Sequence, residues 1–125
     1  MRLAHLLTVL SVGTFSTLAM AHESSLGKNG GQVADDAGHH VEFTTKNGQV
    51  LLFLTDEADN PVASAKSSGR IIIQDGSKQS TVDLIAAEPN VLSAKLTGAL
   101  SPGAKLVVSI KMGDGHDVKA RFVAK

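Results

Sequence analysis

The sequence contains no cysteine, no tryptophan and no tyrosine among its 125 residues. The lack of cysteine excludes disulfides, thiolate metal ligands and a lipid anchor carried on cysteine. The lack of tryptophan and tyrosine, with phenylalanine at only four positions, argues against a surface that stacks sugar rings or nucleic-acid bases. The stability of the chain must therefore come from an apolar core and from hydrogen bonds.

A charge excess of either sign is also lacking, because twelve basic side chains balance twelve acidic ones. Both signs are interspersed along the chain, whereas nucleic acids and anionic membrane surfaces bind concentrated positive charge. We therefore expect neither as a partner. Nucleophile elbows, glycine-rich phosphate loops and catalytic triad patterns are absent from the sequence, so we expect no enzyme activity.

The first residues have the pattern of a secretory signal peptide. Arg2 precedes an apolar run that ends in Ala19-Met20-Ala21, a typical signal-peptidase site. This pattern predicts a signal helix at 1–21, cleaved after Ala21, and a single mature domain at 22–125 in the periplasm. The alternative is a membrane anchor, but polar residues interrupt the run, which falls short of the roughly 20 apolar residues that span a bilayer. We expect no membrane insertion after cleavage.

Short alternating runs separated by turn residues follow from Gly30 onward. Asn47-Gly48 and Asp75-Gly76 are typical hairpin turns. In the run 105–112 every second residue is apolar (Leu106, Val108, Ile110 and Met112), as expected of a strand with one buried face. The pattern predicts an all-β fold, an immunoglobulin-like antiparallel β-sandwich of about seven strands.

Histidine is the residue type in this chain that offers the most scope for specific chemistry. Cleavage after Ala21 would expose the α-amino group of His22 beside its imidazole, a pair of nitrogen ligands that suits Cu(II). The alternative is that His22 begins a disordered tail.

Asp114-Gly115-His116 provides a second candidate, because an Asp and a His two residues apart project to one side of an extended segment. Together they offer an oxygen and a nitrogen ligand for a divalent metal. The alternative is an ordinary hairpin turn with a solvated histidine.

His39 and His40 begin a predicted strand, so their rings should point to opposite faces and cannot readily chelate one ion together. One is expected at the edge of the core and the other in solvent. Whether either takes part in a metal site stays open. Met112 lies on a predicted inner face, which favours a role as core filler over a Cu(I) ligand.

Two family resemblances rest on these residues. Most of the mature chain is similar to small periplasmic proteins that accompany heavy-metal efflux systems of the resistance-nodulation-division type, through segments 30–33, 40–43, 52–56, 60–62 and 118–122. Related segments occur in the adaptor subunits of those pumps, where a histidine usually precedes the Gly-Gly pair; Asn29 stands there in this chain. The two ends of the mature chain resemble the CopC family of periplasmic copper-resistance proteins, an immunoglobulin-like sandwich. That resemblance implies His22, Asp114 and His116 as Cu(II) ligands.

These observations lead to two hypotheses. The first is a periplasmic metal-binding accessory protein that buffers or delivers Cu(II) near a heavy-metal efflux or resistance system, with a metal ion and a periplasmic efflux adaptor as partners. The second is an interaction module without metal that docks on an efflux adaptor or another envelope protein. Neither hypothesis specifies an oligomeric state.

Overall fold

The computed structural model describes residues 26–125, which form eight antiparallel β-strands. The strands are β1 (Gln32–Asp36), β2 (His39–Lys46), β3 (Gln49–Asp56), β4 (Ser68–Asp75), β5 (Lys78–Ala87), β6 (Val91–Lys95), β7 (Lys105–Lys111) and β8 (Asp117–Val123). The predicted all-β antiparallel sandwich is confirmed. The strand that the sequence prediction missed is β1, whose residues Gln-Val-Ala-Asp-Asp lack an apolar alternation.

The strands are hydrogen-bonded in the order β1-β2-β3-β6-β5-β4-β7-β8. The meander β4-β5-β6 lies between β3 and β7, which is the strand arrangement of a Greek key. Strand β5 belongs to both layers of the sandwich. Its first part, Lys78–Leu84, pairs with β4, and its last residues, 85–87, pair with β6. The two layers therefore form one nearly closed sheet.

Side chains join β1 to β8 at the seam of this sheet. The Gln32 side chain donates a hydrogen bond to the carbonyl of Val123, and the carboxylate of Asp36 accepts one of 2.7 Å from the backbone N–H of Lys119. These contacts satisfy polar groups along the two edge strands, which would otherwise be free to pair with another chain. The seam also fixes β1 next to β8 in space.

The core consists of the inward-facing alternate residues of both layers. The buried face predicted for the run 105–112 is confirmed, since Leu106, Val108 and Ile110 are buried. On β8 the alternate residues Val118, Ala120 and Phe122 are buried as well. Phe43 from one layer and Phe122 from the other stack with ring centroids 5.2 Å apart. Met112 is 3% exposed, as expected of a side chain that fills the core.

Glu42 lies between the inward-facing Val41 and Phe43 of β2, so strand alternation would place its side chain in solvent. The residue is only 6% exposed. Residues 27–31 fold over it, and its carboxylate accepts hydrogen bonds from the backbone N–H groups of Asn29 and Gly31. The burial therefore comes from a loop, which strand alternation does not indicate.

Within residues 26–125, no helix has the length and apolar character needed to cross a membrane. The predicted signal peptide at 1–21 and His22 lie outside the described residues.

Candidate metal centre

The turn between β7 and β8 presents Asp114 and His116 at one end of the sandwich. Hydrogen bonds between Met112 and His116 (2.8 Å) and between Gly115 and Met112 (2.9 Å) close the turn. Gly115 has a φ of 95°, a conformation that glycine adopts without steric cost. The turn is also anchored from outside, because the backbone N–H of Gly113 donates to the hydroxyl of Ser67 at 3.1 Å.

Asp114 and His116 contact each other twice. The Oδ1 atom of Asp114 accepts the backbone N–H of His116 at 2.9 Å, and Oδ2 lies 2.9 Å from Nδ1 of the same residue. The backbone hydrogen bond from His116, followed by its side-chain bond, lowers the pKa of Asp114 below its usual value of 3.8. The carboxylate is therefore the favoured form of Asp114, and it is the form that binds a metal ion.

His39 reaches the same place from the other edge of the sheet. It begins β2 directly after the Ala37-Gly38 turn and is 8% exposed. Its Nδ1 atom lies 3.0 Å from the carbonyl oxygen of Ala37. Because a carbonyl only accepts hydrogen bonds, this contact favours the tautomer that has its proton on Nδ1 and a free lone pair on Nε2. Metal-binding histidines are commonly oriented in this way.

These three side chains form one cluster. His39, Asp114 and His116 each contribute a ligand atom, and the three atoms lie within 4.8 Å of one another. The two imidazole rings have centroids 5.8 Å apart and are tilted by 56°. Ligands of a tetrahedral ion with bonds of about 2.1 Å are about 3.4 Å apart, and adjacent ligands of a tetragonal Cu(II) ion with bonds of about 2.0 Å are about 2.8 Å apart. Shifts on the order of 1 Å would therefore close the cluster around one ion.

The cluster combines one fixed ligand with two adjustable ones. His39 is buried and hydrogen-bonded, whereas the side chains of Asp114 and His116 are 51% and 63% exposed. Beside His39 lies a shallow depression of about 520 Å³, which is lined by Asp35, Asp36, Ala37, Gly38, His39, His40 and Glu57. Its acidic side chains raise the local concentration of cations.

Asp114 and His116 were predicted site residues, and the structure places them in direct contact. The two histidines point to opposite faces of β2, as predicted, with His39 inward and His40 outward, but the His40 side chain is only 27% exposed and does not lie free in solvent. His40 lies 3.6 Å from Asp35 and 3.5 Å from Asp59, measured between ring nitrogens and carboxylate oxygens. Sequence analysis did not connect His39 with Asp114 and His116. The sequence contained one indication of this contact: His39 occupies the same alternate positions of β2 as the core residues Val41 and Phe43.

The chain matches no protein-family model, no curated protein and no solved structure. The chemistry of the cluster therefore carries the functional argument.

Proposed function

We propose that this chain is a periplasmic metal-binding accessory protein, without catalytic activity, that buffers or delivers Cu(II) near a heavy-metal efflux or resistance system. The observation that carries the proposal is the convergence of His39, Asp114 and His116 within 4.8 Å of one another. The periplasmic location is supported by the signal-peptide pattern at 1–21, and the efflux context by the family resemblance.

The donor set favours Cu(II). Two imidazoles and a carboxylate provide nitrogen and oxygen ligands, and divalent metals bind such sites in an order that peaks at Cu(II). Soft sulfur ligands would favour Cu(I). The chain has no cysteine, and Met112 is buried in the core.

His22 is proposed as a further ligand through its imidazole and its free amino group. The described chain starts at Leu26, which forms an antiparallel bridge to Gln32. His22 lies outside the described residues, four positions before Leu26, and its part in the ligand set rests on the resemblance to the CopC family.

Exposure of the cluster supports delivery as well as binding. Asp114 and His116 are accessible from solvent, so a ligand from a receiving protein can approach the ion while His39 still holds it. A fully enclosed site would release its ion more slowly. Open coordination positions are characteristic of metal sites that exchange ligands, whereas structural sites are closed.

A Cu(II) titration of the processed chain that begins at His22 tests the proposal. We expect His39→Ala and His116→Ala each to weaken binding at least tenfold, and His40→Ala to leave it unchanged. His40 is the matched control because it is the neighbouring histidine and points away from the cluster. Electron paramagnetic resonance should show nitrogen coordination that is reduced in the first two variants. Equal affinity of all four proteins would contradict the proposal.

The variant His22→Ala separates the contribution of the N-terminus. It keeps the free amine but removes the imidazole beside it, and it should weaken Cu(II) binding without affecting the cluster itself. N-terminal sequencing of the exported protein checks the cleavage site. Processing elsewhere than after Ala21 would remove His22 from the ligand set but leave the cluster of three side chains to be tested.

A further inference from the structure

The outward-facing side chains of β4, β7 and β8 form a continuous surface on the second layer of the sandwich. Arg70 on β4 lies opposite Ser109 on β7, which lies opposite Lys119 on β8. In the next row Ile72, Val107 and Arg121 follow one another across the same strands. We define the basic face as the exposed side chains Arg70, Lys105, Lys111, Lys119 and Arg121, together with the half-buried Ile72 and Val107 at its centre.

Positive charge is concentrated on the basic face although the whole chain is neutral. Its five basic side chains have three acidic neighbours. Asp83 on β5 lies opposite Arg70, Asp117 forms an ion pair of 3.5 Å with Lys111, and the carboxylate of Asp36 accepts the backbone N–H of Lys119. The face therefore retains an excess of positive charge. Further acidic residues lie at the ends of β1 and β3 and in the β3–β4 loop, at 35, 56, 57 and 59.

A shallow depression of about 310 Å³ lies within the basic face. It is lined by Arg70, Ser109, Lys111, Asp117 and Lys119, with Gly69 among the strand residues at its base. A hydroxyl between an arginine and a lysine provides hydrogen-bond donors of the kind that bind a carboxylate. The depression therefore offers a position for one acidic side chain, and Arg121 offers a second position in the next row.

We propose that the basic face docks an acidic segment of another protein, one that carries carboxylates at alternate positions. Same-face residues of a strand repeat every two residues, about 6.6 Å apart, and the cationic rows of the face have this repeat. Ile72 and Val107 add an apolar centre, and arginine at a partly apolar surface is typical of protein interfaces. This proposal does not depend on metal binding.

Two observations favour an acidic protein over a uniform polyanion. Asp83 and Asp117 interrupt the positive surface, so a continuous row of phosphates would meet repulsion at both positions. A protein segment can place its carboxylates between them. It can also cover Ile72 and Val107 with apolar side chains, which a phosphodiester chain cannot do.

Fluorescence anisotropy with a synthetic peptide of alternating glutamate and valine tests the proposal on the processed chain. We expect the peptide to bind, and the corresponding peptide of glutamine and valine to bind much more weakly. Raising the salt concentration should weaken the first interaction, because exposed charges are screened. The double variant Lys119→Gln with Arg121→Gln should bind the glutamate peptide roughly tenfold more weakly, since each exposed pair contributes up to about 1 kcal/mol.

Lys46→Gln combined with Lys95→Gln is the matched control, because these lysines are exposed on β2 and β6 in the other layer and their loss changes the net charge by the same two units. Binding that is the same in the double variant and in this control would overturn the proposal, as would failure to bind the peptide. Stronger binding of single-stranded DNA or of phosphatidylglycerol vesicles would assign the face to a polyanion instead. Self-association abolished by the double variant would assign it to a second copy of this chain. Both results would overturn the proposal, and neither involves Cu(II) affinity, which remains a separate measurement.

Discussion

Glu42 shows how one residue organises a loop. Its carboxylate accepts hydrogen bonds from the backbone N–H groups of Asn29 (2.9 Å) and Gly31 (2.8 Å) and from the side-chain amide of Asn29 (3.1 Å). Gly27 packs so closely on this carboxylate that a β-carbon there would overlap with it. Asn29 is thus engaged in holding the loop to β2.

Replacing Glu42 therefore removes the common acceptor of three donors. We expect Glu42→Ala to lower the free energy of unfolding by about 3 kcal/mol, because hydrogen bonds to charged groups and unsatisfied buried N–H groups each cost this order of energy. Glu42→Gln keeps one acceptor oxygen and should cost about 1 kcal/mol. Urea denaturation measures both. Glu57→Ala, at an exposed loop position, serves as the control, and a loss in Glu42→Ala no larger than in this control would contradict the role of Glu42.

His39 illustrates what sequence patterns miss at the scale of single residues. Asp114 and His116 were predictable as a pair, because a spacing of two residues in a tight turn is a local property. The contact between His39 and this pair depends on how the two ends of the sheet meet. Alternation in β2 indicates only that His39 points inward with Val41 and Phe43. The tertiary structure determines which other potential ligands His39 approaches.

At the scale of elements, two hairpin turns adopt the same backbone conformation with different residues. The β2–β3 turn uses Asn47 (φ 51°) and Gly48 (φ 73°), and the β1–β2 turn uses Ala37 (φ 50°) and Gly38 (φ 76°). Two consecutive positive φ angles define the turn that matches the twist of paired strands, and Asn-Gly is its preferred sequence. The Asn-Gly turn was predictable. Alanine is uncommon in the left-handed conformation, so the sequence Ala37-Gly38 did not indicate a hairpin turn and β1 was not predicted.

The strained alanine leads to a prediction about the first hairpin. Ala37→Asn should raise the free energy of unfolding by about 1 kcal/mol, because asparagine adopts the left-handed conformation at lower cost than alanine. The carbonyl group that contacts His39 belongs to the backbone, so we expect Cu(II) binding to be retained. Thermal unfolding measures the gain. Ala99→Asn, at an exposed loop residue, should change stability by less than about 0.5 kcal/mol, and an equal effect of both substitutions would argue against relief of strain at Ala37.

Strand alternation also explains the basic face. Along the chain, basic and acidic residues are interspersed, so the sequence indicates no concentration of charge. In β7 and β8 the basic residues occupy the positions between the buried ones. Pairing of β4, β7 and β8 then brings these positions onto one surface. Basic and acidic residues that are mixed along the sequence therefore lie on different surfaces of the folded protein. This separation depends on the order of the strands in the sheet, which the sequence alone does not indicate.

At the scale of the whole molecule, the candidate centre lies where the sheet nearly closes. The β1–β2 turn contributes His39, and the β7–β8 turn contributes Asp114 and His116. Strands β1 and β8 are joined along the seam by side-chain hydrogen bonds of Gln32 and Asp36 in place of a backbone ladder. An ion held by both turns would therefore link the two edges of the sheet.

This position predicts a stabilising effect of Cu(II) on the whole fold. An ion that binds only the folded state, at one hundred times its dissociation constant, adds about 2.7 kcal/mol to the free energy of unfolding. We expect this gain in the native protein and in His40→Ala, and a reduction of it to about 1.4 kcal/mol or less in His39→Ala and His116→Ala. Hydrogen exchange should slow most at the ends of β1 and β8 near Asp36 and Asp117, because the ion restrains the seam there, and a chelator should reverse the change. Binding that stabilises the protein without slowing exchange at these residues would place the ion elsewhere on the molecule, since a ligand shared by both turns would add a restraint between the two edge strands.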